Sequence, residues 1–237
     1  MKILALESAA AVASAALTED RRRLAEITLD NGNTHSETLL PMVDTLLSMT
    51  GLTLADIGLF AASVGPGSFT GIRIGAATVK GLAFGKDTCC LGVSSVEALA
   101  YNLLGTEGLV CPVLNARRRQ VYTALFEAKN GAIHRLTEDC VLTVDELDGL
   151  LAAYAGPVSF VGDAYELAMR TVTHPRLPVA APLRSPSAAS VAFAAQAAYE
   201  AGTRGTDRTL TPVYLRPCQA ERERLEKLNQ KAKEHTP

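Results

Sequence analysis

The chain has 237 residues, of which 48% are hydrophobic and 20% charged, with no tryptophan and a formal net charge of −2. That balance supports a substantial core and excludes a largely disordered chain. A protein that grips nucleic acid alone is usually strongly basic, so stand-alone nucleic-acid binding is not expected.

Five cysteines (Cys89, Cys90, Cys111, Cys140, Cys218) form no Cys-x-x-Cys pair, which argues against a thiolate metal site and for a reducing compartment. The first seventeen residues are apolar and alanine-rich, but Glu7 interrupts them and no basic cluster precedes it. They read as strands rather than a signal peptide. No stretch reaches the roughly 18 apolar residues a membrane span needs. A cytoplasmic, soluble chain with no membrane partner is expected.

In chain order, Ile3–Glu7, Val12–Leu17 and Arg23–Leu29 read as strands, with a polar turn at residues 19–22. His35–Thr50 has helical spacing, with Leu39, Met42, Val43 and Leu46 on its apolar side, Pro41 inside and Gly51 as a stop. Ile57–Val64 reads as a strand, Ile72–Phe84 as a helix and Thr88–Val93 as a strand; Ser94 to Glu97 has the pattern of a capping box. Residues 105–108 are the candidate lobe boundary. Beyond it, Leu109–Leu114, Gln120–Glu127 and Ala132–Leu136 read as strands, and Thr143 to Glu146 as a second capping box opening a helix to about Tyr154. A strand at Val158–Val161 and helices at Ala164–Thr173 and Ser187–Ala201 follow, then a charged helical tail. Three strands followed by alternating elements recur in both halves, which predicts two related lobes: residues 1–105 and 106–218, with 219–237 as the tail.

Between strand and helix lies Gly65-Pro66-Gly67-Ser68-Phe69-Thr70-Gly71. Such a turn often holds phosphate at a helix N-terminus. A Walker A loop requires Lys-Ser or Lys-Thr where Ile72 stands. A dinucleotide fingerprint requires its last two glycines three apart, and Gly67 and Gly71 are four apart. A nucleophile elbow requires glycines where Pro66 and Thr70 flank Ser68. What remains is a turn that Ser68 or Thr70 can cap, with Gly71 and Gly75 one helical turn apart so that another backbone can approach. A structural turn and a ligand loop both stay open.

The catalytic inventory is thin. His35, His134, His174 and His235 never occur at metal-binding helical spacing, and His35 fits a capping or surface role. Asp163, after a strand and a glycine, fits either a ligand carboxylate or a helix cap. Phe69 and Arg73 fit either a ligand or partner contact, or a core ring beside a surface cation. The triplets Arg21–Arg23 and Arg117–Arg119 read as solvated turns.

Several segments together resemble one family. They are Ile3-Leu4-Ala5-Leu6-Glu7-Ser8, His35-Ser36-Glu37 with Leu39-Leu40-Pro41, Gly65 to Gly71 with Ile72-Arg73-Ile74-Gly75, and Lys80-Gly81-Leu82-Ala83. Farther on come Gly92-Val93-Ser94-Ser95, Asn115-Ala116-Arg117-Arg118 with Val121-Tyr122, and Pro212-Val213-Tyr214-Leu215-Arg216. In order and spacing they resemble the TsaB (YeaZ) family of tRNA threonylcarbamoyladenosine biosynthesis factors. The resemblance implies an α/β, two-lobed actin/sugar kinase/Hsp70-like (RNase H-like) fold. It also implies a non-catalytic partner of the paralogous transferase TsaD, completed by the ATPase TsaE, with a homodimer when alone. ATP and metal would belong to the partner subunits, and tRNA would be met only through the complex.

By matching position, the resemblance puts a partner surface on the two first-lobe helices, at Leu39, Met42, Val43, Leu46, Ile72, Gly75, Ala76 and Val79. The paralogue's His-x-x-x-His metal motif is broken here, because Leu39 stands four residues after His35. Glu7 and Asn115 stand where family members commonly carry aspartates. An ATP-binding kinase-like enzyme and a metallopeptidase are the competing readings.

Overall fold

The computed structural model describes residues 1–216, so Cys218 and the charged tail expected at 219–237 lie outside the described residues. The first lobe begins with β1 (Lys2–Glu7), β2 (Ala13–Glu19) and β3 (Arg22–Leu29), an antiparallel meander. Asp20 and Arg21 turn the β2–β3 hairpin with φ of 49° and 63°, as such tight hairpins require. α1 (His35–Thr50), β4 (Leu59–Gly65), α2 (Phe69–Ala83), β5 (Cys89–Ser94) and α3 (Ser95–Ala100) follow. The sheet order is β3-β2-β1-β4-β5, with β4 parallel to both β1 and β5.

The second lobe repeats this plan. It contains β6 (Gly108–Asn115), β7 (Gln120–Thr123), β8 (Phe126–Lys129), β9 (Ala132–Arg135), β10 (Cys140–Thr143), α4 (Leu147–Leu151), β11 (Val158–Val161), α5 (Tyr165–Thr171) and β12 (Arg176–Leu177). β7 and β8 both pair antiparallel with β6 and keep one register, Val113 with Thr123 and Gly108 with Ala128. They are one strand interrupted at Ala124 and Leu125, both fully buried. β10 pairs with β7, and β9 with β8. Treating each interrupted pair as one strand, the order becomes third-second-first-fourth-fifth, as in the first lobe. The repeated strand pattern read from sequence is therefore a repeated topology. The strand expected over Gln120–Glu127 is broken, and β10 and β12 were not anticipated.

Helix starts follow their caps. Ser68 caps α2 by accepting from the Gly71 N–H at 3.2 Å, so the helix begins at Phe69 rather than Ile72. Thr143 and Glu146 form the expected reciprocal capping box, although only a 3-10 turn and the short α4 follow. Ser94 caps α3, but the Glu97 carboxylate is drawn to Arg135 at 2.8 Å, leaving half a box. α1 runs unbroken through Pro41, which lies on its exposed side.

α1 and α2 pack on one face of the first sheet, around Leu4, Leu6, Leu39, Met42, Val43, Leu46, Phe60 and Val79. The opposite face is covered by α6 (Ala188–Glu200), whose Val191, Ala194 and Ala195 join Ile3, Ala5 and Leu59. The chain therefore returns to the first lobe after β12, and α6 does not belong with the second-lobe core. The Glu26 carboxylate anchors it there, accepting from Ser187 Oγ at 2.7 Å, Ser14 Oγ at 3.1 Å and the Ala189 N–H at 3.2 Å. Beyond α6 the chain stays on this lobe, where Val213 N–H donates to the Val64 carbonyl at 2.7 Å. Among the described residues no helix is long and apolar enough to cross a membrane.

Candidate functional site

The glycine turn sits against the β1–β2 turn, and its glycines are explained by that contact. A Cβ on Gly67 would lie 2.4 Å from the Ala9 carbonyl oxygen, one on Gly71 2.0 Å from that of Ser8, and one on Gly75 2.3 Å from Ser8 Oγ. Real Cβ atoms do not approach so closely, so a larger residue at Gly67 or Gly71 would displace backbone and one at Gly75 would displace the Ser8 side chain. Hydrogen bonds fasten the contact: Ser68 N–H donates to Ala9 O at 2.7 Å, and Ser8 Oγ–H to Gly71 O at 2.9 Å. The backbone whose approach Gly71 and Gly75 permit is the chain's own.

Glu7 lies beneath this junction, 1% exposed, accepting from the Ala9 N–H at 2.6 Å. Burial raises its pKa to about 7, against the opposing pull of bonds from Ala9, Ser63 and Ser8. His35 opens α1, but it neither caps the helix nor lies free on the surface. Its Nε2–H donates to the Ala10 carbonyl at 2.9 Å, which ties α1 to the β1–β2 turn and leaves Nδ1 buried without a partner.

Between the lobes opens a cleft of about 650 Å³. Its first-lobe wall is Ala9–Ala11 and Gly67–Thr70, its second-lobe wall includes Asn115, Arg117, Tyr122 and Asp163, and Val213–Arg216 closes one side. Asp163 does not cap α5 with its side chain; its Oδ1 accepts from the Asn115 N–H at 2.7 Å and braces the end of β6. Although Asp163 keeps an edge open to solvent, lost solvation raises its pKa above the ordinary aspartate value. Asn115 Oδ1 in turn accepts from the Arg117 N–H at 2.8 Å.

At the cleft mouth the Arg73 guanidinium lies 4.0 Å from the Phe69 ring centre, and its Nε–H donates to the Tyr214 hydroxyl at 2.7 Å. The Phe69 and Tyr214 rings are 4.8 Å apart. Phe69 is thus half-buried under an exposed arginine rather than a core ring. In the sequence Tyr214 stands only as part of the Pro212–Arg216 motif. Its place beside Phe69 depends on a chain crossing that local spacing does not encode.

The eight positions expected to form a partner surface do not lie on the surface. Leu39, Met42, Val43, Leu46, Ile72, Gly75, Ala76 and Val79 are all buried within the first lobe. The apolar stripe on each helix faces its own sheet. What the same helices expose is Ser36, Glu37, Leu40, Pro41, Asp44, Thr45, Ser48 and Met49 on α1, and Thr70, Arg73, Ala77 and Gly81 on α2, with Phe84 just beyond.

The family model described as TsaD, tRNA N6-adenosine threonylcarbamoyltransferase, matches residues 28–220. The Bacillus subtilis tRNA threonylcarbamoyladenosine biosynthesis protein TsaB is 32% identical over 232 residues, covering 95% of this chain and 99% of that protein. The chain belongs to the TsaB (YeaZ) family. YeaZ from Pseudomonas aeruginosa superposes with a TM-score of 0.77 at 27% identity, over 90% of this chain and 99% of that one. Component A of the Acidaminococcus fermentans (R)-2-hydroxyglutaryl-CoA dehydratase, 10% identical, has a TM-score of 0.50 over 84% of this chain and 99% of that one. That likeness concerns the fold alone, the two-lobed actin/sugar kinase/Hsp70-like architecture. In this TsaB-family chain three of the segments that carried the resemblance border the cleft: the glycine turn through Gly67–Thr70, Asn115–Arg117 with Tyr122, and Val213–Arg216.

Proposed function

We propose that this chain serves tRNA threonylcarbamoyladenosine formation as the non-catalytic partner of a TsaD-type transferase. The observation that carries this reading is the packing of Gly67, Gly71 and Gly75 onto Ser8 and Ala9. The room these glycines provide is taken up by the chain's own β1–β2 turn, while Gly67–Thr70 keep their other side on the cleft. His35 supports the same division of labour: its Nε2 is bonded to Ala10 O, and Leu39, at the second-histidine position, is 1% exposed in the core. ATP and metal would then be the business of the transferase and of TsaE.

The partner surface is the outer side of α2, where Thr70, Arg73, Ala77, Gly81 and Phe84 follow one another at helical spacing. Phe84 is 78% exposed, and Met49 of α1 is 80% exposed. Small residues at Ala77 and Gly81 allow a partner helix to come close. When the transferase is absent, a second copy of the chain takes the same face.

Reconstitution with TsaD, TsaE and the threonylcarbamoyl-adenylate donor tests the reading by nucleoside analysis of tRNA. Modification should require all subunits, and the chain alone should produce none. Modified adenosine formed by the chain alone would contradict it. A second reading, an ATP-binding kinase-like protein, is favoured by the cleft between the lobes. Calorimetry of the isolated chain with ATP and magnesium discriminates, since tight binding supports the second reading and its absence the first.

A further inference from the structure

Arg117, Arg118 and Arg119 follow one another with φ of 63°, 53° and 59°. Residues other than glycine enter this left-handed region singly or, as at Asp20 and Arg21, as the pair of a tight hairpin, and three in succession is a strained link between β6 and β7. Strain of this kind persists where the surroundings enforce it, and it gathers at functional sites. Here the backbone is enforced. Gln120 N–H donates to Arg117 O at 3.0 Å, Ala116 N–H to Gln120 O at 2.9 Å, and Arg119 pairs with Asp145 at 3.2 Å. The guanidinium groups of Arg117 and Arg118, both exposed, have no acidic partner among the described residues.

The link borders the cleft, where Arg216 reaches it and Arg73 sits beside two rings of the lining. Arg216 Nη1–H donates to the Ala116 carbonyl at 3.1 Å, and Arg73 is held by Phe69 and Tyr214. Arg117, Arg216, Phe69, Tyr122 and Tyr214 all line the opening, and Asp163 is the one carboxylate among the lining residues. Its Oδ1 is already bonded to the Asn115 N–H. A chain of net charge −2 has thus gathered cations and aromatic rings at one mouth. Guanidinium groups match phosphate oxygens, and rings that reach the cleft, Tyr214 exposed and Tyr122 half-buried, match the faces of unpaired bases. A strand of unpaired RNA supplies both at once.

We infer that the Arg117–Arg119 link and the cleft mouth beside it hold an unpaired segment of the RNA substrate, with Arg117 and Arg118 on its phosphates and Tyr122 and Tyr214 against its bases. This rests on the tRNA role proposed above. It adds an RNA contact on this subunit that the overall charge conceals.

The test uses the Arg117→Gly/Arg118→Gly double variant, because glycine adopts the left-handed turn freely and removes both guanidinium groups. A fluorescent anticodon stem-loop RNA is titrated by polarisation into the reconstituted complex, across a series of salt concentrations. The variant should bind at least tenfold more weakly, and its slope of log affinity against log salt should be shallower by about 1.4 for two lost single-strand phosphate contacts. An Arg117→Lys/Arg118→Lys variant should keep the salt slope. Unchanged affinity and slope in the glycine variant would overturn the inference, and so would full displacement of the RNA by ATP. Co-purification of the transferase is read on the same samples. If the unsubstituted chain forms no complex, the proposed function falls, and the same titrations on the chain alone at low salt decide the arginine link.

Discussion

The Ser8 carbonyl oxygen stands 2.0 Å from where a Cβ on Gly71 would lie, while the Ser8 hydroxyl donates to the Gly71 carbonyl at 2.9 Å. Two turns far apart in sequence are thereby locked face to face, and the lock sets where α2 begins. Gly71→Ala should cost about 2–3 kcal/mol in urea unfolding, because backbone on both sides must move. Gly81, exposed in the same helix with nothing within 4 Å of an added Cβ, is the control. Gly81→Ala should stabilise by about 0.5–1 kcal/mol, since only the helix propensity changes. Equal effects at the two positions would refute the lock.

Glu7 makes stability depend on pH. Its folded pKa of about 7 lies above the ordinary 4.5, so between these values the folded chain holds a proton that the unfolded chain has released. The contribution is complete below pH 4.5 and is lost as pH rises through 7, for a total on the order of 3 kcal/mol. Glu7→Gln keeps an oxygen for the Ala9 N–H and cannot ionise. Denaturation between pH 5 and 8 should show the unsubstituted chain losing stability and the variant staying level at this site. Parallel curves for the two proteins would exclude the effect.

Restoring a histidine pair should not restore a metal site. Leu39 is 1% exposed in the core, and His35 is bonded to Ala10. Leu39→His should destabilise by roughly 2–4 kcal/mol through lost packing and a buried polar ring. Added zinc should produce no recovery of Tm; a zinc-dependent rise of several degrees would show that the two imidazoles can meet.

Much of the fold was legible because its signals are local. α1 carries an unbroken apolar stripe and ends at Gly51, and its limits, His35–Thr50, agree with the spacing. The start of α2 was misjudged by three residues because the Ser68 cap is set by the Ala9 contact, a pairing from 59 residues away. β10 was missed because Cys140–Thr143 is short and half-buried at every position, with no alternation to read. The same limit affected the site. The resemblance put the partner surface on the apolar stripes of α1 and α2 by matching position, and periodicity cannot tell a partner from the chain's own sheet. The cleft mouth escaped notice because Phe69, Tyr214 and Arg117 come from three distant segments, and the left-handed turn of Arg117–Arg119 has no glycine to announce it.

The central claim, that this chain acts by docking a transferase on the outer side of α2, is tested most directly by quantitative co-purification with TsaD of Ala77→Arg beside Val43→Glu. Ala77 is exposed and Val43 fully buried. Ala77→Arg should keep the Tm of the unsubstituted chain and lose the partner, with affinity reduced at least a hundredfold, whereas Val43→Glu should fail to fold. A folded Ala77→Arg chain that binds TsaD with unchanged affinity would contradict the account.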